Sequence, residues 1–158
     1  MNEVTFRFAE KKDAPIILDF IKGIAEYEKM SDDVVTTTEM IEEWIFEKKT
    51  AEVIFAIAEG DEVGFALFFH NFSTFVGRAG LYLEDIFVKK EYRKKGYGKA
   101  LFKKLAEIAL ERNCGRMEWV CLDWNKPSID FYLSLGAKPM NEWTLYRLTD
   151  KQLQDISL

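Results

Sequence analysis

The chain has 158 residues, 48% hydrophobic and 31% charged, with a net charge of −5, enough for one domain over 1–158 with a sizeable core and no disulfide or metal staple. Glycine and proline are too few for a collagenous or disordered chain, and no apolar run reaches the ~18 residues of a membrane span. Cys114, Cys121 and a single histidine, His70, make no closed zinc site. The expectations are no metal, reduced thiols and, with no apolar export segment in the opening residues, a cytoplasmic location.

The first predicted element is a short strand, Val4 to Ala9. Asp13 then stands as a helix N-cap before Ala14-Pro15, and Ile17, Phe20, Ile21 and Ile24 give the following helix one apolar face. A polar stretch from about Lys29 to Thr37 leads to Thr36-x-x-Glu39, a capping box that opens a second helix through Ile41, Trp44 and Ile45. Residues 53–58 and Val63 to Phe69 read as two strands joined by the turn Glu59-Gly60-Asp61-Glu62. Ala79 to Val88 reads as a third long strand, apolar on both faces. Gly98 to Arg112 is an amphipathic helix with the stripe Leu101, Phe102, Leu105, Ile108 and Ala109. A strand over Met117 to Leu122, a helix over Pro127 to Leu135 between Asn125 and Gly136, a last strand over Trp143 to Leu148 and a polar tail complete the chain. The pattern predicts an α/β fold with a mixed central sheet of about six to seven strands and helices on both faces.

The charge is uneven. Residues 89–104 carry eight basic side chains against one acid, Glu91, while the rest of the chain carries 14 basic and 26 acidic residues. An acidic body with one basic focus repels phosphate polymers and suits a small polyanion at the focus, so no nucleic-acid partner is expected. The alternative is a solvated helix face. Within the focus, Arg93-Lys94-Lys95-Gly96-Tyr97-Gly98-Lys99 lies between a strand and a helix. Glycines there let the backbone approach a ligand, and the unpaired N–H groups of the first helical turn make an anion site for a pyrophosphate. The loop is neither a Walker loop nor a dinucleotide fingerprint.

Arg93-Lys94-Lys95-Gly96-Tyr97-Gly98 resembles the R-x-x-G-x-G/A loop of the GNAT N-acetyltransferase superfamily. Residues 81–88 (LYLEDIFV), 123–132 (DWNKPSIDFY) and 21–28 (IKGIAEYE) resemble its diamine (spermidine/spermine) N-acetyltransferase branch. The resemblance spans about residues 4–149. It implies a GNAT-like fold, a homodimer, and acetyl-coenzyme A as co-substrate. The coenzyme is implied to be gripped by the loop Arg93 to Lys99, by the backbone of Ile86, Phe87 and Val88, and by Asn125 and Ser128. Tyr132 is implied as the acid that protonates the leaving thiolate. Glu84 is implied as the base, through water, and as a contact of the cationic amine together with Tyr27 and Glu28.

The residues themselves leave alternatives open. Glu84 and Asp85 interrupt an apolar strand and, by period-2 alternation, face opposite sides of the sheet. A carboxylate there needs a partner or a task, and a structural ion pair is the alternative to catalysis. Tyr132 beside Ile129 and Leu133 could be core, Asn125 a helix cap, and Tyr27 and Glu28 a solvated helix end. Cys121 reads as buried and inert, and the four tryptophans as core or interface. No cysteine has a histidine base visible in sequence, so direct attack by the amine in a ternary complex is expected, without an acyl-enzyme. The acceptor class is a diamine or polyamine, a lysine-like amino acid such as thialysine, an aminoglycoside or a protein amine. A non-catalytic coenzyme-A sensor and a nucleotide-binding protein are the rival classes.

Overall fold

The computed structural model describes residues 3–158, which fall into two compact units, one ending at Val120 and one beginning at Cys121. The first unit is built on a mixed sheet of order β1-β2-β3-β4-β5, with β1 Thr5–Phe8, β2 Glu52–Ala58, β3 Asp61–Ser73, β4 Arg78–Val88 and β5 Met117–Glu118. The first four pair antiparallel and β5 runs parallel to β4. The sheet has five strands among the described residues, fewer than the six to seven expected. The β2–β3 turn is the two-residue pair Glu59-Gly60, both at positive φ (53° and 76°), the geometry that matches the twist of a hairpin.

Helices cover both faces of this sheet. On one face α1, Ala14–Tyr27, and α2, Thr38–Ile41, set Ala14, Ile17, Phe20 and Ile41 against Val53, Phe55, Phe65 and Leu67. Gly23 permits the close approach, because a Cβ there would meet the Phe87 ring at 3.0 Å. On the other face lies α3, Tyr97–Glu111. Its expected stripe is buried throughout, and Leu101 reaches within 3.1 Å of where a Gly64 Cβ would stand. The Arg112 guanidinium grips Glu52 of β2 at 2.6 and 2.9 Å just past the end of α3.

Several local details differ from the sequence reading. Asp13 precedes α1 but its carboxylate does not cap it. It turns back to accept from Arg7 (2.8 and 3.1 Å) and from the Glu10 N–H (2.8 Å), because an arginine on the neighbouring strand is a stronger partner than a neutral amide. The second helix is capped by Thr37, which accepts from the Met40 N–H, one residue later than the box at Thr36, and it continues as a π-helix over Glu42–Glu47. The strand expected over Met117 to Leu122 pairs only at its first two residues.

The second unit holds α4, Lys126–Ser134, and α5, Asp150–Ile156. The expected strand over Trp143 to Leu148 does not form. A strand needs a ladder partner, and this unit by itself contains only helices. The polar tail holds helix α5, opened by Thr149 and Gln152 as a capping box. Trp143, Leu145, Tyr146 and Leu148 are exposed, as are Trp44 and Trp124, so those tryptophans are not core.

Candidate active site

The geometry of β4 turns on one residue. Leu67 of β3 lies opposite Asp85, and Phe68 opposite Leu83, so Glu84 has no partner and forms a bulge. The bulge reverses the alternation along the strand. Before it, the Leu81 N–H points to the β5 side, donating to Arg116 O at 2.9 Å. After it, the Lys89 N–H points the other way, to Val63 O at 2.9 Å. Phe87 therefore faces β3 with its backbone, and Ile86 and Val88 turn theirs toward the β5 side. Among the described residues β5 pairs with β4 at Leu81 and Tyr82, and within this unit that edge has no ladder partner from Leu83 onward. The Val88 carbonyl accepts from Arg93 Nε at 3.0 Å.

The bulge also corrects the expectation that Glu84 and Asp85 face opposite sides. Alternation does not run through a bulge, and Asp85 sits in register with Leu67 on the α1 face. Glu84 is exposed and Asp85 half-buried. Burial pushes the Asp85 carboxyl up to about 6, with the Glu84 and Glu28 carboxylates pushing the same way. Burial raises Glu28 as well. Glu28 closes α1, whose end is fixed by Lys29 at φ 60° and by the Met30 N–H donating to Ala25 O, a Schellman closure. Nearby on the sheet, the Tyr82 phenol is raised by burial, then by Glu84 and Glu118. Asp85, Tyr82 and Glu118 were not singled out from sequence as site residues. Only the carboxylate at Asp85, out of place in an apolar strand, gave a signal.

Between α1 and the end of β4 lies a cavity of about 620 Å³ whose wall includes Asp19, Glu26, Tyr27, Phe87, Lys89 and Arg93. Arg93 stacks over Tyr27 and Phe87, with its guanidinium carbon 5.3 and 4.9 Å from the two ring centres. Beyond it the loop turns sharply. Lys94 and Gly96 both take positive φ (64° and 86°), and Gly96 is the residue before the first turn of α3. Two of the loop's side chains are turned to the β2–β3 turn. Tyr97 is buried and donates to Glu59 at 2.9 Å, and Lys95 reaches the same carboxylate at 3.2 Å. They brace the loop on the β2–β3 turn and leave their backbones to it. Lys94 and Lys99 are exposed. The α3 N-terminus with these cations is thus an anion cradle, and the open edge of β4 beside it offers backbone groups to an amide-bearing arm.

The remaining sequence-predicted residues belong to the second unit. Asn125 is buried and its Oδ1 accepts from the Ser128 N–H at 3.4 Å, so it does cap α4. Tyr132 is half-buried against Phe131, ring centres 5.8 Å apart. Its carbonyl accepts from the Ala137 N–H, and Gly136 at φ 88° completes a Schellman closure.

The sequence matches the acetyltransferase (GNAT) family over residues 20–137. The chain belongs to this family. It is 37% identical to the thialysine N-epsilon-acetyltransferase of Sus scrofa, over 99% of each chain. It is 46% identical to the L-ornithine N5-acetyltransferase NATA1 of Arabidopsis thaliana, over 59% of this chain and 41% of that one. Among solved structures, an integron cassette protein from V. cholerae is similar with a TM-score of 0.81 and 27% identity, covering 98% of this chain and 97% of that one. Membership fixes the reaction class of this GNAT chain as acetyl transfer.

One expectation about cysteine chemistry changes its ground. His70, without a visible partner in sequence, lies 3.7 Å from Cys114 through Nδ1. Its Nε2 faces Arg112 at 3.0 Å and its Nδ1 faces Gly80 O at 3.0 Å. An arginine only donates, so Nε2 accepts and Nδ1 carries the proton, which goes to Gly80. The imidazole therefore cannot take a proton from Cys114 in this arrangement. Cys114 is the buried cysteine, and Cys121 is only partly covered.

Proposed function

We propose that this GNAT chain transfers the acetyl group of acetyl-coenzyme A to a primary amine of a small cationic acceptor, a diamine or polyamine or a lysine-like amino acid such as thialysine. The bulge at Glu84 carries this reading. It breaks the β4 ladder near the basic loop at two adjacent carboxylates, Glu84 and Asp85, and the Glu28 carboxylate at the end of α1 acts on Asp85 as well. An anion cradle together with a group of carboxylates fits a polyanionic donor and a cationic acceptor.

The residues fit acetyl-coenzyme A as donor. Arg93, Lys94, Gly96, Gly98 and Lys99 supply backbone N–H groups and positive charge to its pyrophosphate. Lys95 and Tyr97 hold the loop. Ile86 and the Val88 N–H present backbone groups on the side away from β3, the Val88 carbonyl being held by Arg93, and Phe87 anchors the strand against Phe65. The resemblance adds Asn125 and Ser128 as further contacts of the coenzyme, and Tyr132 as the donor of a proton to the leaving thiolate. The thioester provides the activated carbonyl. Tyr27 and Glu28 hold the acceptor with Glu84. An ammonium has no lone pair and a free alkyl ammonium has a pKa near ~10.4, so the amine must give up a proton before it attacks. Glu84 takes it through water, and attack is direct.

The family match crosses the division at Val120 and Cys121, which supports reading residues 1–158 as one N-acetyltransferase domain. The exposed apolar run at 143–148 supports a homodimer, and two free cysteines support a cytoplasmic protein. The deciding experiment is a thiol-release assay with acetyl-coenzyme A and a panel of amines: 1,4-diaminobutane, spermidine, thialysine, ornithine and an aminoglycoside. Turnover of the small diamines or amino acids is expected. Tight coenzyme A binding with no turnover of any amine would make the chain a sensor.

A further inference from the structure

We propose that Glu59 and Asp61, the two carboxylates that flank Gly60 at the β2–β3 turn, are positioning residues for the coenzyme: they hold the basic loop in the shape that receives the pyrophosphate, and they do so against their own charge. This rests on the donor proposed above and names residues outside the loop on which its binding depends. Both ends of the loop are tied to the turn. At the β4 end, Asp61 Oδ2 accepts from Lys89 Nζ at 3.1 Å and from the Tyr92 hydroxyl at 3.2 Å. Its Oδ1 accepts from the Glu62 N–H at 2.8 Å, which fixes the carboxylate in place. At the α3 end, Glu59 accepts from the Tyr97 hydroxyl at 2.9 Å and from Lys95 Nζ at 3.2 and 3.3 Å. The Lys95 ammonium also lies 5.5 Å from the centre of the Tyr92 ring, so the two ties meet across the loop.

The loop needs such ties. Lys94 takes φ 64°, a left-handed conformation that costs a residue with a Cβ and persists only where its surroundings hold it. Arg93 fixes the residue before it through the Val88 carbonyl, and Glu59 fixes Lys95 after it and Tyr97 beyond. Gly96 between them starts α3, and the N–H groups of a first helical turn are those that an anion can take. Charge alone argues the other way. Lys89 and Lys95 are engaged by carboxylates, and two acids stand beside a site for a polyanion. Were the loop only a cluster of charges, removal of either acid would tighten coenzyme binding about two- to threefold. A loop that acts through its shape should instead bind more weakly, because the ordering that the turn supplies in the free protein is then taken from the binding energy.

Calorimetric titration of coenzyme A into the free protein, without amine, tests this, with initial rates alongside. Glu59→Ala should weaken coenzyme A about tenfold. The KM for acetyl-coenzyme A should rise in step, with kcat at saturating donor within about twofold of wild type. Glu59→Gln keeps an acceptor for Tyr97 and Lys95 and loses the charge, and it should recover most of the affinity. Asp61→Asn should weaken the coenzyme in the same sense as Glu59→Ala. Tyr97→Phe keeps the buried ring and loses the hydroxyl. It should weaken the coenzyme alone and add little to Glu59→Ala, since both remove one tie. Unchanged or tighter binding by Glu59→Ala overturns the assignment, as does a fall in kcat at unchanged affinity, or full additivity of the Glu59→Ala and Tyr97→Phe losses. Should Glu59→Ala not fold, Tyr97→Phe decides the α3 tie by the same titration. A wild type that does not bind coenzyme A removes the proposed donor and this assignment with it. A wild type that binds it, beside a Glu59→Ala that binds it equally, overturns this assignment alone.

Discussion

The Arg93 guanidinium stacks on the Tyr27 ring at 5.3 Å while its Nε–H holds the Val88 carbonyl at 3.0 Å. The resemblance implies different partners for these residues, the coenzyme for Arg93 and the acceptor for Tyr27, and the fold joins them through one side chain. Arg93→Ala should therefore weaken both substrates. Loss of a charge-assisted bond and a cation–π stack costs about 2 kcal/mol, or ~30-fold. The expected result is a higher KM for acetyl-coenzyme A together with a lower kcat/KM for the amine. Arg93→Lys should not rescue either, because an ammonium cannot stack in the plane and donate from Nε at once. Initial-rate kinetics in both substrates checks this, and a change confined to the coenzyme would show that the Tyr27 contact carries nothing.

A second prediction concerns the other end of α1. Arg7 and the Glu10 N–H both donate to Asp13, holding its carboxyl below the usual range; the Arg7 hydrogen bond is the largest cause. A depressed folded value means that its stabilisation is present above pH ~4 and is lost as pH falls through that lower value. Asp13→Asn should destabilise the chain by about 2 kcal/mol at pH 7, with the difference shrinking toward pH 3. Urea unfolding at both pH values measures it.

How much was legible follows from these cases. The α3 stripe and the basic glycine turn were plain, because helical period and local charge are properties of consecutive residues. Glu84 was legible as a residue out of place but not as a bulge, since the register shift that leaves it without a partner lies on β3, between Leu67 and Phe68. The placing of Glu84 and Asp85 on opposite sides rested on an alternation that the bulge interrupts, for the same reason. Asp13 was read as a cap because Arg7, its real partner, is set by the fold. The segment 143–148 has strand composition, and composition is silent on whether a neighbour exists to pair with.

Tyr132→Phe separates chemistry from binding. The substitution keeps the half-buried ring against Phe131 and leaves the backbone closure at Gly136 intact, so stability should change by less than about 1 kcal/mol. If the phenol delivers the proton to the thiolate, kcat should fall about 100-fold or more with coenzyme A affinity unchanged. Steady-state rates with calorimetric binding of coenzyme A decide it, and full activity would leave Tyr132 as a packing residue.

Asp85 should also tax the stability of the fold, in the opposite direction from Asp13. Its carboxyl rises from 3.8 to about 6 on folding, chiefly through burial and then through Glu84 and Glu28. Between those values the folded chain binds the proton more tightly than the unfolded chain, so its contribution is most favourable below pH ~4 and is lost as pH rises through 6. Above pH 6 a shift of roughly two units corresponds to about 3 kcal/mol of destabilisation, and partial exposure brings the expected figure to about 2. Asp85→Asn removes the charge and keeps the shape. It should raise the urea midpoint at pH 7.5 and leave it nearly unchanged at pH 4. A variant stabilised equally at both pH values would place the cost in packing rather than in the buried charge.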